Sequence, residues 1–222
     1  MSSGAHVIVT LNGEARNWRD AYSLVSPPGA RDTWEIIVCR VADPRGGPAF
    51  LHDTAREGNA MTFDPPVNLF PIPTRARRHL LLAGGIGVTP FLAYLPALRA
   101  EKIPFDLHLI CCAEDAPAFR DLLCPNCNIH PARDRIDISA LLARQPLGTH
   151  VSVCGRPNFM DAVVEAARAA GYPLGKIHIE RFGGSSGGAP FHVELARSHR
   201  TIAVGADESL LEALEAAGID GS

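Results

Sequence analysis

The first residues that could do chemistry form a glycine-rich turn, Ala83-Gly-Gly-Ile-Gly-Val-Thr-Pro90. It follows an apolar, strand-like run and precedes a helical pattern. Glycines let the backbone bend sharply and approach a ligand closely, and a helix N-terminus offers unpaired N–H groups to a pyrophosphate. The turn is not the strict G-x-G-x-x-G fingerprint. A nucleotide site is therefore one interpretation and a plain strand-to-helix turn the other. The first assigns cofactor contacts to Gly84, Gly85, Ile86, Gly87, Val88 and Pro90.

A second turn of the same kind is Val153-Cys-Gly-Arg-Pro-Asn-Phe-Met160. It also follows an apolar run and precedes a helical pattern. Ligands of α/β proteins bind at the carboxyl ends of parallel strands, so the two turns are expected at one sheet edge. Gly155, Arg156 and Pro157 are the predicted cofactor contacts, with Arg156 placed to meet a phosphate or ribose. An ordinary solvated surface arginine is the alternative.

The segment Cys112-Ala-Glu-Asp115 is acidic and follows another apolar run. Carboxylates at such a place favour a ribose 2′-hydroxyl and repel a 2′-phosphate. Glu114 and Asp115 therefore predict NADH rather than NADPH as the nucleotide.

The cysteines are too sparse for a disulfide scaffold and predict reduced thiols in a cytoplasmic setting. Cys124-Pro-Asn-Cys127 has the C-x-x-C spacing of zinc and redox sites. A structural zinc site needs four ligands, and no second knuckle lies at a suitable distance. We expect no metal site, with a metal or a labile disulfide at these two thiols as the alternatives.

The elements that must position these residues change character along the chain. Before residue 75, short strand-like segments predict a small antiparallel β-barrel or sandwich. Strand and helix patterns then alternate up to residue 182, which predicts parallel strands with helical crossovers. The glycine- and serine-rich residues 183–190 predict a linker. Residues 191–222 predict a hairpin and one helix. The strands predicted in the first part are His6–Leu11, Ala21–Val25, Thr33–Val41 and Met61–Phe63.

Composition excludes several classes of protein. The chain has 222 residues, which at roughly 100–200 residues per domain allows one or two domains. Hydrophobic residues make up 46% and charged residues 20%, as in globular proteins. The net charge of −3 provides no field for nucleic acid. No membrane span or secretory signal is recognisable, so neither a nucleic acid nor a membrane is an expected partner.

Seven motifs in order resemble one family over nearly the whole chain. They are Ala21-Tyr-Ser-Leu24, Arg45-Gly-Gly47, Leu51-His52, Asn68-Leu-Phe-Pro71, Gly84–Pro90, Cys154-Gly155 and His178-Ile-Glu-Arg-Phe182. In these the chain resembles the phthalate dioxygenase reductase family, to which vanillate demethylase reductases also belong. The resemblance implies a flavin-binding β-barrel (residues 1–74), an NAD-binding α/β domain (75–182) and a partial β-grasp, ferredoxin-like tail (191–222). It also implies electron transfer from NADH through FMN to an iron-containing oxygenase.

The resemblance assigns flavin contacts to Tyr22, Ser23 and Leu24, and further cofactor contacts to Arg45, Gly46, Gly47 and Asn68. The family's phosphate-binding arginine falls on Asp20 here, and Arg19 lies one residue earlier. A bulge could still direct Arg19 to the phosphate, whereas the Asp20 carboxylate would repel it. The family's Gly-Gly-Ser turn ends here in Pro48, which offers no hydroxyl or N–H.

The resemblance assigns Thr89, Cys154 and Phe182 to the place where nicotinamide meets flavin. Cys154 would lie beside the nicotinamide, with a small buried apolar role as the alternative. Hydride transfer depends on orientation and water exclusion, so no general base is expected.

Two segments of the family pattern have no counterpart here: the first barrel strands and the cysteine loop of the [2Fe–2S] cluster. No cysteine follows Cys154, so no cluster is expected in these 222 residues. Either the sequence is a fragment, or partner chains complete a hetero-oligomer with the oxygenase. A non-catalytic assembly subunit of a monooxygenase is the alternative function.

Overall fold

The computed structural model describes residues 2–12, 17–30, 32–40, 47–123, 127–132, 136–182, 189–206 and 210–219. The chain divides into two units, Met1–Phe182 and Gly183–Ser222. The predicted linker falls largely on residues 183–188, outside the described residues.

The first unit begins with an antiparallel sheet of three strands in the order β2-β1-β3. Its strands are β1 His6–Asn12, β2 Asn17–Ser23 and β3 Thr62–Phe63. Alternate residues of β1 point to one side and are buried, namely Val7, Val9 and Leu11. Helix α1, Gly47–Asp53, places Phe50 and Leu51 against this core.

The strand predicted over residues 33–41 does not form as a continuous element. Within residues 32–40 the structure has only one isolated bridge, Leu24↔Ile36. Asp32 through Glu35 are exposed, so this segment has no buried face to hold a strand register. Val41 lies outside the described residues.

A five-stranded parallel sheet follows, in the order β6-β5-β4-β7-β8. The apolar runs identified in the sequence form its central strands, as expected of strands covered on both faces. The strands are β4 Arg78–Gly84, β5 Phe105–Cys111, β6 Asn128–Pro131, β7 Thr149–Cys154 and β8 Ile177–Glu180. The helices are α2 Thr89–Ala100, α3 Ala116–Leu122, α4 Ile138–Ala143 and α5 Pro157–Ala169. Short 3₁₀ turns occupy Gly85–Val88 and Leu174–Lys176.

Each face of this sheet has its own apolar core. One face packs against α2, with Leu81, Leu107 and Tyr94 fully buried. The opposite face packs against α5, with Leu80 and Met160 buried. Alternation along the strands therefore decides which side chains share a face and which groups surround each polar side chain.

The second unit contains a hairpin and a helix, as predicted. The elements are β9 Phe191–Glu194, β10 Thr201–Val204 and α6 Leu210–Ala216. Its buried cluster consists of Ile202, Val204 and Ala213.

No helix in the described part of the chain is both long and apolar enough to cross a bilayer.

Candidate functional site

The parallel sheet has a switch point between β4 and β7. From β4 the chain continues to β5 and β6 on one side, and then returns to β7 and β8 on the other. The two glycine turns leave the carboxyl ends of these two neighbouring strands. Open α/β sheets bind ligands in the crevice at such a point, so the structure brings the two predicted motifs together at a place suited to a ligand.

The glycines of the two turns allow close contact between the turns. A Cβ atom at Gly87 would lie 2.5 Å from the carbonyl oxygen of Cys154. At Gly155, which has a φ of 153°, a Cβ atom would lie 3.0 Å from the Cα atom of Gly84. Gly85 has a φ of 54° and no atom within 4 Å of such a Cβ position. Three glycines therefore serve packing between the turns, whereas Gly85 borders open space.

The rest of the first turn is largely buried. Val88 and Pro90 are buried, and Ile86 is half-buried. The Thr89 hydroxyl donates a hydrogen bond to the Ile86 carbonyl oxygen at 3.0 Å, which closes the turn. Thr89 therefore positions the backbone at the start of α2, and its hydroxyl hydrogen already has an acceptor.

Cys154 and Glu180 lie opposite one another at the carboxyl ends of β7 and β8. Burial of Cys154, and then the nearby Glu180 carboxylate, raises the pKa of the thiol far above its usual range. The thiol is therefore neutral at physiological pH. Burial raises the pKa of Glu180 from 4.5 to about 7. Its Oε2 atom has no hydrogen-bond partner among the described residues.

Glu180 is a candidate functional residue that sequence reasoning missed. It stands inside the His178–Phe182 motif, but no role was assigned to it. The available signal was strand alternation, which places Glu180 two residues after His178 on one face of β8. Only the pairing register shows that this face brings the carboxyl to Cys154.

The remaining residues predicted at this edge are exposed. Phe182 follows β8 and is 42% exposed. Arg156 and Pro157 are exposed at the start of α5. Glu114 and Asp115 are exposed after β5, the strand beside β4. All five therefore border the crevice edge and are accessible to a ligand.

Tyr22, Ser23 and Leu24 lie where β2 ends. The Tyr22 hydroxyl donates to the Asp20 carboxylate at 3.4 Å, and burial together with that charge raises the pKa of Tyr22. The Ser23 hydroxyl oxygen is buried and has no partner among the described residues. Leu24 is fully buried, which leaves its backbone as the part that could contact a cofactor.

Arg19 and Asp20 project from opposite faces of β2. The Arg19 guanidinium forms an ion pair with the Asp64 carboxylate at 2.8 Å. The Asp20 carboxylate contacts Gly47 where any larger side chain would collide with it. The structure therefore places Asp20, and not Arg19, between Tyr22 and the start of α1. Arg45 and Gly46 lie outside the described residues.

Asn68 braces the N-terminal segment. Its Nδ2 atom donates to the Ser2 hydroxyl at 2.7 Å and to the Ser3 carbonyl at 2.8 Å. Its Oδ1 atom accepts a hydrogen bond from the Phe70 N–H at 3.0 Å. These contacts give Asn68 a structural role, and its cofactor contact stays a prediction.

Within the described residues, no three histidine, cysteine or acidic side chains are arranged to hold a metal ion. Cys39, Cys111, Cys112 and Cys154 are free thiols. Cys124 lies outside the described residues, so the interpretation of the C-x-x-C pair stays a prediction.

Known proteins resemble this chain in sequence and in structure. No family model matches the chain. It is 40% identical over 224 residues to the heme-dependent oxidative N-demethylase beta subunit of Ectopseudomonas mendocina, covering 99% of this chain and 72% of that protein. It is 33% identical to the vanillate O-demethylase oxidoreductase of Pseudomonas sp. strain HR199, covering 99% of this chain and 72% of that protein. The chain belongs to the phthalate dioxygenase reductase family.

A solved structure of phthalate dioxygenase reductase supports the same membership. Its TM-score is 0.79 at 30% sequence identity, over 99% of this chain and 71% of that one. That protein is described as a modular structure for electron transfer from pyridine nucleotides to [2Fe–2S]. The predicted family is confirmed, and the fold is ferredoxin-reductase-like, with antiparallel sheets and a parallel-sheet nucleotide-binding part.

Proposed function

We propose that this chain is the reductase component of an oxygenase or demethylase system and moves electrons from NADH through bound FMN to an iron-containing oxygenase. The observation that carries the proposal is the meeting of the two glycine turns at the switch point, beside Cys154 and Glu180. Family membership supplies the reaction class, because the relatives are named as reductase and demethylase subunits.

The described residues fit a flavin at the end of β2. The buried Ser23 hydroxyl has no partner among them, and an unsatisfied buried hydroxyl is where a polar ligand edge is expected. Strand β2 is also an edge strand, so its outer backbone groups are available to a ligand. Tyr22 would pack near the ring system, and Gly47 would lie by the phosphate.

The residues at the switch point fit a dinucleotide. Gly85 borders open space, which allows a pyrophosphate to approach the backbone. Arg156 would meet a phosphate or ribose at the start of α5. The exposed Glu114 and Asp115 would face the adenosine ribose, which favours NADH over NADPH.

A bound flavin would accept a hydride from the nicotinamide and pass the electrons on one at a time. The chain's own residues orient the two rings and exclude water between them. Thr89 fixes the turn that enters α2. The neutral Cys154 thiol would line the nicotinamide site as a small, uncharged group. Phe182, at the end of the first unit, is accessible enough to cover the site.

We place the flavin domain in residues 1–74, as part of a β-barrel, and the nucleotide domain in residues 75–182. The hairpin and helix of residues 191–222 would belong to a ferredoxin-like β-grasp tail. We expect no [2Fe–2S] cluster in these 222 residues and a hetero-oligomer with the oxygenase. Four free thiols among the described residues, Cys39, Cys111, Cys112 and Cys154, are consistent with a reducing cytoplasm.

A second candidate function is a reductase-like assembly subunit that does not reduce a flavin. The contact of the Asp20 carboxylate with Gly47 favours it, because a carboxylate at this place repels a phosphate.

A visible spectrum of the purified chain, with acid extraction and chromatography of any yellow cofactor, tests the proposal. We expect FMN that NADH bleaches at least about tenfold more efficiently than NADPH, a difference of roughly 1.4 kcal/mol. Replacing Glu114 and Asp115 by Gln and Asn should narrow that preference. Failure to bind any added flavin would overturn the proposal and favour the assembly subunit. Recovery of FAD would show that the choice of FMN is wrong but would leave the rest of the proposal standing.

A further inference from the structure

One face of the parallel sheet carries polar side chains beside its apolar core. Strand alternation places His79 on β4, His150 and Ser152 on β7, and His178 and Glu180 on β8 on the same face as Leu81 and Cys154. This is the face that α2 covers with Phe91 and Tyr94. The set runs from the amino edge of the sheet to the carboxyl edge, where the cofactor crevice lies.

Three members of this set have buried polar atoms with no partner among the described residues. They are both ring nitrogens of His79, the Ser152 hydroxyl oxygen and Glu180 Oε2. His79 and Ser152 are 0% exposed. An unsatisfied buried polar group costs about 1–3 kcal/mol, and native proteins satisfy such groups with internal water. These atoms therefore mark positions for ordered water.

His150 and His178 form a hydrogen-bonded pair at the amino edge. Nδ1 of His150 lies 2.9 Å from Nε2 of His178, and the ring planes are within 7° of parallel. A neutral imidazole donates at one nitrogen and accepts at the other, so the pair can take a proton at one end and release one at the other. Burial lowers the pKa of both rings, so both are neutral imidazoles, each with one N–H, at neutral pH.

Internal water is needed to join this pair to Glu180. Glu180 and His178 are two residues apart on β8, which separates them by about 6.6 Å along the strand. Ser152 is the register partner of His178 on β7, so its hydroxyl lies beside the same gap. Tyr94 does not fill the gap with a hydrogen bond, because its hydroxyl donates to the Phe70 carbonyl oxygen at 2.7 Å.

We propose that Glu180, Ser152, His178 and His150, joined by internal water, form a proton path from the cofactor edge of the sheet to its amino edge. The inference rests on the proposed function. Oxidation of NADH to NAD⁺ by two equivalents of a one-electron iron acceptor breaks the nicotinamide C4–H bond and releases two electrons and one proton. The electrons go to the acceptor. The Glu180 carboxylate takes the proton, and the resulting carboxyl gives it through Ser152 and water to the histidine pair, which passes it to solvent.

The titratable groups facing the path do not compete for this proton. At the Glu180 end they are Cys154 and Tyr94, whose pKa values burial and Glu180 raise, so both stay neutral. At the other end they are His79, whose pKa is lowered to about 4, and Lys176, whose charge lowers the pKa of His150. Lys176 therefore favours release of the proton to solvent.

The first test is a crystal structure of the full chain at a resolution that shows water. We expect an ordered water molecule within hydrogen-bond distance of the Ser152 hydroxyl and of either Glu180 or His178. A dry gap, with these atoms facing only apolar side chains, would overturn the path.

The second test is infrared spectroscopy of the Glu180 carboxyl, whose C=O band Glu180→Gln identifies by removing it. On transfer to D₂O, we expect the deuterium shift of this band to slow by about a hundredfold in His178→Phe, the lower end of what a positioned proton-transfer group contributes. His178→Gln, which keeps a polar side chain, gives the same reading if His178→Phe fails to fold. Unchanged exchange in a folded variant would show that the carboxyl exchanges directly with solvent, and the path would be wrong.

His108→Phe is the matched control. His108 and His130 form a similar pair, with ring nitrogens 2.9 Å apart and planes within 11°, but His108 lies on the opposite face of the sheet. This variant should leave the exchange unchanged, and equal slowing would overturn the path. Both tests can be made without flavin, so a failure to bind flavin counts against the proposed function and not against the path.

Discussion

Asp20 is the residue at which the chain departs most clearly from the family's phosphate-binding pattern. Its carboxylate contacts Gly47 and accepts a hydrogen bond from Tyr22, while Arg19 is paired with Asp64. We expect Asp20→Asn to raise the affinity for FMN by about tenfold, or 1.4 kcal/mol, because it removes a charge that repels the phosphate and keeps the shape. Affinity for riboflavin, which has no phosphate, should not change.

Fluorescence titration with FMN and with riboflavin measures both affinities and hence the ratio between them. The control is Asp53→Asn, at the opposite end of α1 from Gly47. It should leave the ratio of the two affinities unchanged. An equal gain for riboflavin and FMN would show that Asp20 acts on folding and not on the phosphate.

Glu180 should make stability depend on pH in a defined direction. Its folded pKa of about 7 lies above the usual 4.5, so the folded state binds a proton that the unfolded state releases. The stability this gives is complete below pH 4.5 and is lost as the pH rises through 7. Relative to wild type, Glu180→Gln should therefore gain about 3 kcal/mol in the free energy of unfolding between pH 4.5 and 8.

Urea denaturation across this range checks the prediction. The comparison must be made between variant and wild type, because His79 acts in the opposite direction. Its pKa is lowered to about 4, so it removes stability as the pH falls below 6.5. Glu165→Gln, an exposed change on α5, should show no such trend. A flat difference for Glu180→Gln would mean that the carboxyl is ionised at neutral pH.

At the scale of elements, the two glycine turns pack tightly against each other at the switch point. A Cβ atom at Gly87 would collide with the Cys154 carbonyl oxygen and the Gly155 nitrogen, at 2.5 and 2.7 Å. We expect Gly87→Ala to lower the free energy of unfolding by about 1–3 kcal/mol and to weaken NADH binding. Gly175→Ala is the matched control, because nothing lies within 4 Å of its Cβ position. Thermal denaturation and NADH titration of both variants decide this, and equal losses would contradict it.

The elements predicted well from sequence are those whose pattern reflects burial on both faces. The apolar runs at 79–83, 105–112 and 150–154 all form parallel strands. Strand β6 was missed, because its sequence Asn-Ile-His-Pro lies at a sheet edge and has no apolar alternation. Helix α1 was missed because its Gly47-Pro48 start suggests a turn, although proline is favoured in a first helical turn.

The candidate site was predictable only in its local parts. The two glycine turns were predicted because their signal is local, a strand followed by glycines and a helix. The Cys154–Glu180 contact and the polar face behind it were not, because they depend on which strands are neighbours and in which register. Local patterns do not contain that information.

At the scale of the whole molecule, stability is concentrated in the first unit. That unit contains the two cores on the faces of the parallel sheet and the core of the antiparallel sheet. The second unit has a described cluster of three small or medium side chains, Ile202, Val204 and Ala213. A segment of about 40 residues with so small a core does not reach independent stability in water.

We therefore expect a chain ending at Phe182 to unfold cooperatively, with a melting temperature within about 4 °C of the full chain, the shift that 1 kcal/mol produces at this size. The segment Gly183–Ser222 alone should show no cooperative transition. Calorimetry and circular dichroism of both pieces measure these outcomes.

A much larger loss of melting temperature would show that the second unit stabilises the first. A cooperative transition in the isolated segment would show that its few buried residues suffice to fold it. If both expectations hold, cofactor binding by the shortened chain can be measured without the tail, because every residue assigned here to the flavin and the nucleotide lies in the first unit.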